Sequence, residues 1–135
     1  MASGIYNVLK GNLMKKQVNL DNGGDTLKVA LYDENFSFVA TGTVYASTNE
    51  LATANGYTRD SKTLSGQAVT AGATTKFDAD DVSWSNASFT ARYAVIYDVT
   101  NSNSLICCFD FGENKTVNAG TFTLAFNASG IITLA

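Results

Sequence analysis

The run Phe89-Thr90-Ala91-Arg92-Tyr93-Ala94-Val95-Ile96-Tyr97-Asp98, then Asn101-Ser102-Asn103-Ser104, then Leu105-Ile106-Cys107-Cys108-Phe109-Asp110-Phe111, decides the fold class. The first and third pieces are rich in aromatic and β-branched side chains, which fit a pleated, half-buried surface. The Asn/Ser stretch between them is turn chemistry, so the reading is a β-hairpin. Working outward, Thr26-Leu27-Lys28-Val29-Ala30-Leu31-Tyr32 alternates, with Leu27, Val29 and Leu31 on one face, the mark of a half-buried strand. A short strand or extended loop is expected at Phe36-Ser37-Phe38-Val39, and a weak strand over 62–69. Residues 76–84 lead into the hairpin; Gly112-Glu113-Asn114-Lys115 is expected to open a connection to strands at 120–127 and 131–134. Asp21-Asn22-Gly23-Gly24-Asp25 and Asn55-Gly56 read as turns.

At the other end, Ile5, Val8, Leu9 and Leu13 fall at i, i+3, i+4 and i+8, the stripe of an amphipathic helix. Ser3 is the expected N-cap, with Lys15 and Lys16 in the last turn where they complement the helix dipole. The 135 residues therefore read as one domain, a helical segment over 1–17 and a β-rich body over 26–135. The fold class is mostly β, an antiparallel β-sandwich or barrel-like sheet with one short N-terminal amphipathic helix.

Composition excludes several functions. Nine basic residues in a chain of net charge −3 do not suit a phosphate backbone, so no nucleic acid is expected. No apolar run reaches the length of a membrane helix, so no membrane partner is expected either. The opening residues carry no basic-then-apolar signal pattern, and maturation in the cytoplasm is the expectation. There is no histidine, which removes His-bearing zinc sites, Ser–His and Cys–His nucleophile pairs and the commonest general base. Cys107 and Cys108 are neighbours, which point to opposite faces of a strand, and read as small buried hydrophobes. No enzyme activity, catalytic residue, cofactor or metal is expected.

Two constellations remain. Asp78, Asp80 and Asp81 could gather on a hard cation, which takes six to eight oxygens, supply an acid–base pair, or form a solvated turn or strand edge. Trp84, Tyr93 and Tyr97 could line a sugar- or partner-binding face, or fill the core and rim of the sheet. Exposure of that trio favours binding, and burial favours a scaffold.

Three passages carry a resemblance. They are Met1-Ala2-Ser3-Gly4-Ile5-Tyr6-Asn7 with Leu13-Met14; Thr26-Leu27-Lys28-Val29-Ala30-Leu31-Tyr32-Asp33; and Phe77-Asp78-Ala79-Asp80-Asp81-Val82-Ser83-Trp84 with the 89–98 strand and the ending Ser129-Gly130-Ile131-Ile132-Thr133-Leu134. Together they resemble a family of small structural (virion) proteins of tailed bacteriophages. The resemblance implies a protein without an active site that binds other virion proteins, the major capsid protein first among them, as a homo-oligomer or in many copies. It implies a capsid decoration (auxiliary capsid) role on the virion exterior, after synthesis in the host cytoplasm. Head-fibre, neck or tail positions, and a carbohydrate-binding module, are the alternatives. In the decoration role Ile5, Tyr6, Val8, Leu9 and Leu13 form the expected docking segment, unless the same stripe closes the domain's own core.

Overall fold

The computed structural model describes residues 3–135. The chain is mostly β, with antiparallel strands in two sheets and one short N-terminal helix, a sandwich-like arrangement that does not close into a barrel. In chain order the elements are β1 (Gly4–Ile5), α1 (Asn7–Met14), β2 (Leu27–Tyr32), β3 (Lys62–Thr63), β4 (Ala68–Thr70), β5 (Thr75–Asp78), β6 (Val82–Asp98), β7 (Ser104–Leu124) and β8 (Ile132–Leu134). The larger sheet runs β1-β7-β6-β2-β3 and the smaller β4-β5-β8.

The hairpin is the spine, and it is longer than the sequence pattern suggests. The connection expected at Gly112-Glu113-Asn114-Lys115 does not form; β7 runs unbroken to Leu124. Between the pairs Tyr93–Asp110 and Ala91–Lys115, two residue steps on β6 face five on β7. The surplus is taken up as a bulge, a device that bends a strand without ending it. Asp110 fixes it by accepting from both Gly112 N and Arg92 Nε at 2.8 Å. A second irregularity surrounds Ala87, where Asn86 and Ala119 have positive φ and Ser88 Oγ accepts from Ala119 N at 2.9 Å.

Strand β2 departs from the half-buried expectation. Leu27, Val29 and Leu31 enter one apolar cluster with Leu9, Trp84, Ile96 and Ile106. Ala30 and Tyr32 enter a second, on the opposite face, with Tyr6, Val95, Tyr97, Leu105 and Cys108. Phe36 and Phe38 do not form a strand; they lie in the connection after β2 and pack onto the second cluster. The predicted weak strand over 62–69 divides into β3 and β4, which belong to different sheets. The Asn55-Gly56 turn forms as expected, with Ala54 and Tyr57 exchanging backbone hydrogen bonds of 2.9 and 3.0 Å. Gly56 is required there: φ is +90°, and an added Cβ would lie 2.6 Å from the Asn86 carbonyl.

The helix is shorter than the stripe that predicts it. Ile5 lies in β1, paired with Cys107, and Tyr6 occupies the N-cap position without a side-chain cap. Ser3 is not the cap; its Oγ accepts from Asp110 N at 3.0 Å. Lys15 is the C-cap and Lys16, with φ +59°, lies beyond the last turn. Competition from sheet pairing wins here, because β1 satisfies backbone groups that one more helical turn would leave open.

A buried carboxylate ties the 44–60 segment to the sheet. Glu50 accepts from the hydroxyls of Tyr45 and, at 2.6 Å, Tyr57, while Tyr57 Oη accepts from Leu31 N at 3.0 Å. Burial, then the Glu50 hydrogen bond, pushes both phenols well above their ordinary pKa. The Arg59 guanidinium stands 3.9 Å from the carboxylate and donates to the Glu50 and Leu51 carbonyls. Tyr57→Phe removes a donor to a buried charge and an acceptor from a buried amide. A hydrogen bond to a charged group is worth about 1.5–3 kcal/mol, so a loss of about 2–3 kcal/mol in urea denaturation is expected. A loss below about 0.5 kcal/mol would mean that water replaces the hydroxyl.

Candidate functional site

The predicted docking stripe is largely spent on the interior. Tyr6 and Leu9 are buried, Tyr6 edge-on to Phe38 with ring centroids 4.8 Å apart. The segment is also fixed through its backbone, since Tyr6 N donates to Ile106 O at 3.2 Å and Asn7 N to Ala40 O at 2.9 Å. Ile5, Val8 and Leu13 are half-buried. The stripe thus closes the core, and Tyr6 and Leu9 are unavailable to a partner.

What the helix does offer is its far end. Met14 is 91% exposed, and Leu13 beside it walls an apolar groove of about 280 Å³. Val18, Leu20, Val69, Phe77, Ile132 and Leu134 supply the rest of the apolar lining, with Asp21 and Lys76 among the polar residues around it. The groove therefore lies between the end of α1 and the smaller sheet. Two edge strands frame it. The β4 edge is blocked, because Asp21 Oδ1 accepts from Val69 N at 3.0 Å. The β8 edge carries the exposed Leu134 and has no strand on its outer side among the described residues. An apolar hollow, an exposed methionine and an open strand edge thus lie at one end of the molecule.

The aromatic trio does not assemble. Trp84 is 1% exposed and Tyr97 is fully buried, and the two belong to clusters on opposite faces of the larger sheet. Trp84 packs against Tyr57 and Phe122, with Lys62 Nζ 5.7 Å above its ring. Tyr97 stacks on Tyr45 at 4.4 Å and donates to Asp60 at 2.7 Å. Tyr93 alone is half-buried, edge-on to Phe36. A sugar platform needs exposed ring faces side by side, and burial on two sides of a sheet precludes one here.

The acidic run is likewise occupied within the fold. Asp78 Oδ1 accepts from Ala79 N at 2.9 Å, Asp80 Oδ2 from Ser65 Oγ at 3.4 Å, and Asp81 Oδ1 from Phe126 N at 2.9 Å. Among the described residues no three His, Cys, Asp or Glu side chains gather as a metal cage. Cys107 and Cys108 are buried and unbridged, facing the two separate clusters. Burial, then the charge of Asp110, pushes the Cys108 thiol up to about 12, and burial raises Cys107 further, so neither is a thiolate at neutral pH.

No family model, curated protein or solved structure matches this chain.

Sequence reasoning missed the groove, because its lining comes from five separated stretches and only Leu13 among them belongs to a candidate binding segment. It also missed Glu50, whose signal was a lone carboxylate flanked at five and seven residues by Tyr45 and Tyr57. The groove has a direct check. Phe77 forms its buried floor, so Phe77→Ala should cost about 3–5 kcal/mol in urea denaturation. Met14→Lys, at a solvated position, should stay within about 0.5 kcal/mol. Equal costs would mean that Met14 is packed and the groove filled.

Proposed function

We propose that this chain is a non-enzymatic structural protein of a tailed-phage virion, a capsid decoration protein that binds the major capsid lattice from outside in many copies. The observation that carries the reading is the division between used and unused chemistry. The carboxylates, thiols and aromatic rings that could have formed a reactive or sugar-binding site are committed to internal hydrogen bonds and core, whereas the apolar groove with Met14 and Leu134 is left open. The likeness of the 1–7, 13–14, 26–33, 77–84, 89–98 and 129–134 stretches to tailed-phage structural proteins supplies the setting.

The physics of a repeated lattice fits such a surface. A single apolar groove and one short strand edge give a modest contact, but copies bound to neighbouring sites of a shell, and to each other, gain by effective concentration without new contacts. A surface of Thr, Asn and Ser with few charges also tolerates wide, hydrated contacts. The carbohydrate-binding alternative loses its residues once Trp84 and Tyr97 are placed in the core. Head-fibre, neck and tail positions need the same protein-binding chemistry and differ only in address.

Cryo-electron microscopy of the particle that carries this chain tests the assignment. Density in many symmetric copies on the outer shell is the expected result, with α1 and β8 toward the capsid. Density confined to portal, neck or tail would overturn the decoration role, and absence of the chain from purified particles would overturn the virion role altogether. In a capsid co-sedimentation assay, the double variant Met14→Lys with Leu134→Lys should lower occupancy about tenfold or more, the equivalent of about 1.4 kcal/mol of contact.

A further inference from the structure

Asp98 ends β6 opposite Leu27 of β2 and has no exposed surface. Its Oδ1 accepts from Asn101 N at 3.2 Å, and its Oδ2 has no donor among the described residues. Thr26, the neighbour of Asp25, is bonded to this strand end on both sides, accepting from Val99 N and donating to Thr100 Oγ1, each at 2.9 Å, which brings the Asp25 carboxyl beside Asp98. Two ionised carboxylates are acceptors only, and neither can satisfy the other. The arrangement closes when one of them keeps a proton and donates it across the gap, as paired carboxyls do.

Among the described residues the surroundings supply no counter-charge. From β2, Lys28 lies on the opposite face, where it pairs with Asp60 at 3.1 Å. Lys62 of β3 is held over the Trp84 ring. The β7 residue opposite Asp98 is the neutral Ser104, and Gln67 reaches the neighbourhood only to donate to the Leu20 and Asp25 carbonyls. The hairpin turn contributes the amides of Thr100 and Asn101, which favour the ionised form, and the Asp25 carboxyl opposes them.

Asp25 also anchors a loop. Its Oδ2 accepts from Asn19 N at 3.1 Å, and its amide donates to Asn19 O at 2.8 Å, closing the 19–25 loop on itself. That loop supplies Asn19, Leu20 and Asp21 to the apolar groove. We propose that Asp25 and Asp98 share one proton, and that this proton latches the groove-forming 19–25 loop to the end of β6. Loss of the proton sets two carboxylates against each other in a buried place, and the less buried partner, half-buried Asp25 with its loop, moves away. The groove wall is thereby proton-sensitive, whichever protein the groove receives.

Burial, then the Asp25 hydrogen bond and charge, raises Asp98 from 3.8 to about 7. The folded chain therefore holds a proton that the unfolded chain releases. The pair's contribution to stability is full below the unfolded value and is lost as pH climbs to the folded one. Asp21, Asp60, Asp110 and Glu113 are all held below their ordinary values by hydrogen bonds and act with the opposite sign. A variant comparison separates the two contributions.

Asp98→Asn places an N–H donor where the shared proton sits. Relative to this variant, the wild-type melting temperature should fall by about 4 °C or more between about pH 5 and pH 8. Amide exchange in the 19–25 loop, corrected for its intrinsic pH dependence, should rise about fivefold or more in the wild type only. Carboxyl-carbon NMR on the wild-type chain should show one aspartate titrating near neutrality, which keeps the test independent of whether Asp98→Asn folds. Parallel pH profiles, or Asp98 titrating below about pH 5, would overturn the latch. So would a rise in melting temperature on adding calcium chloride at about pH 8 that Asp98→Asn abolishes, since a cation would then hold both groups ionised.

Discussion

Strand β2 and the C-terminal half of β6 carry buried side chains on both faces, and the rest of the chain is arranged to cover one face or the other. Leu27, Val29 and Leu31 look toward α1, β5 and the folded length of the hairpin; Ala30, Tyr32, Val95 and Tyr97 look toward the connection after β2. Fully burying one such aliphatic or aromatic side chain is worth about 1.5–3 kcal/mol. A sheet apolar on both faces therefore cannot leave either to water. One roof is built from the two bulges, which bend the hairpin until Phe111 and Phe122 of the same strand meet at 6.1 Å. The other is the 33–61 segment, which has almost no regular structure and is pinned through Tyr45, Glu50 and Tyr57.

This explains what could be read from the sequence. The hairpin, the two turns and the alternation of β2 follow from local chemistry, since strand pattern, Asn-Gly and Asn-Ser turns are decided within a few residues. Tyr32 and Ala30 looked like an outward face because their cover, Phe36, Phe38 and Tyr45, arrives from a stretch without period. The break expected at Gly112 failed for a related reason. Glycine permits a bulge as readily as a turn, and Asp110, two residues earlier, selects the bulge by accepting the Gly112 amide and the Arg92 guanidinium together. The helical stripe was real, but Ile5 and Tyr6 found better partners in β7 and Phe38 than in the helix.

The candidate surface was less legible than the fold. A groove depends on what tertiary packing fails to cover, and no local pattern encodes a failure to cover. Exposure also reverses the ranking that residue type suggests: Trp84 and Tyr97 go inside, whereas Met14 and Leu134 remain outside. The carboxylates show the same inversion. The conspicuous run Asp78, Asp80 and Asp81 lies at the surface and holds nearby amides and a hydroxyl, and the unremarked Glu50 and Asp98 are the buried ones.

Those two buried acids solve one problem in opposite ways. Glu50 receives two hydroxyl donors and lies near a guanidinium, so its position holds an acceptor that the surroundings are built to satisfy. Asp98 meets another acid instead, and its second oxygen is unpaired unless a proton is shared. The first arrangement fixes the 44–60 roof on the most buried strand. The second joins the end of that sheet to a loop closed by its own hydrogen bonds, beside a small sheet of three- and four-residue strands. Regions with few ladder bonds open at lower free energy than a core hairpin. Stability is therefore concentrated along β2, β6 and β7, and adaptability at the groove end, which can adjust without disturbing the two-faced sheet that holds the chain together.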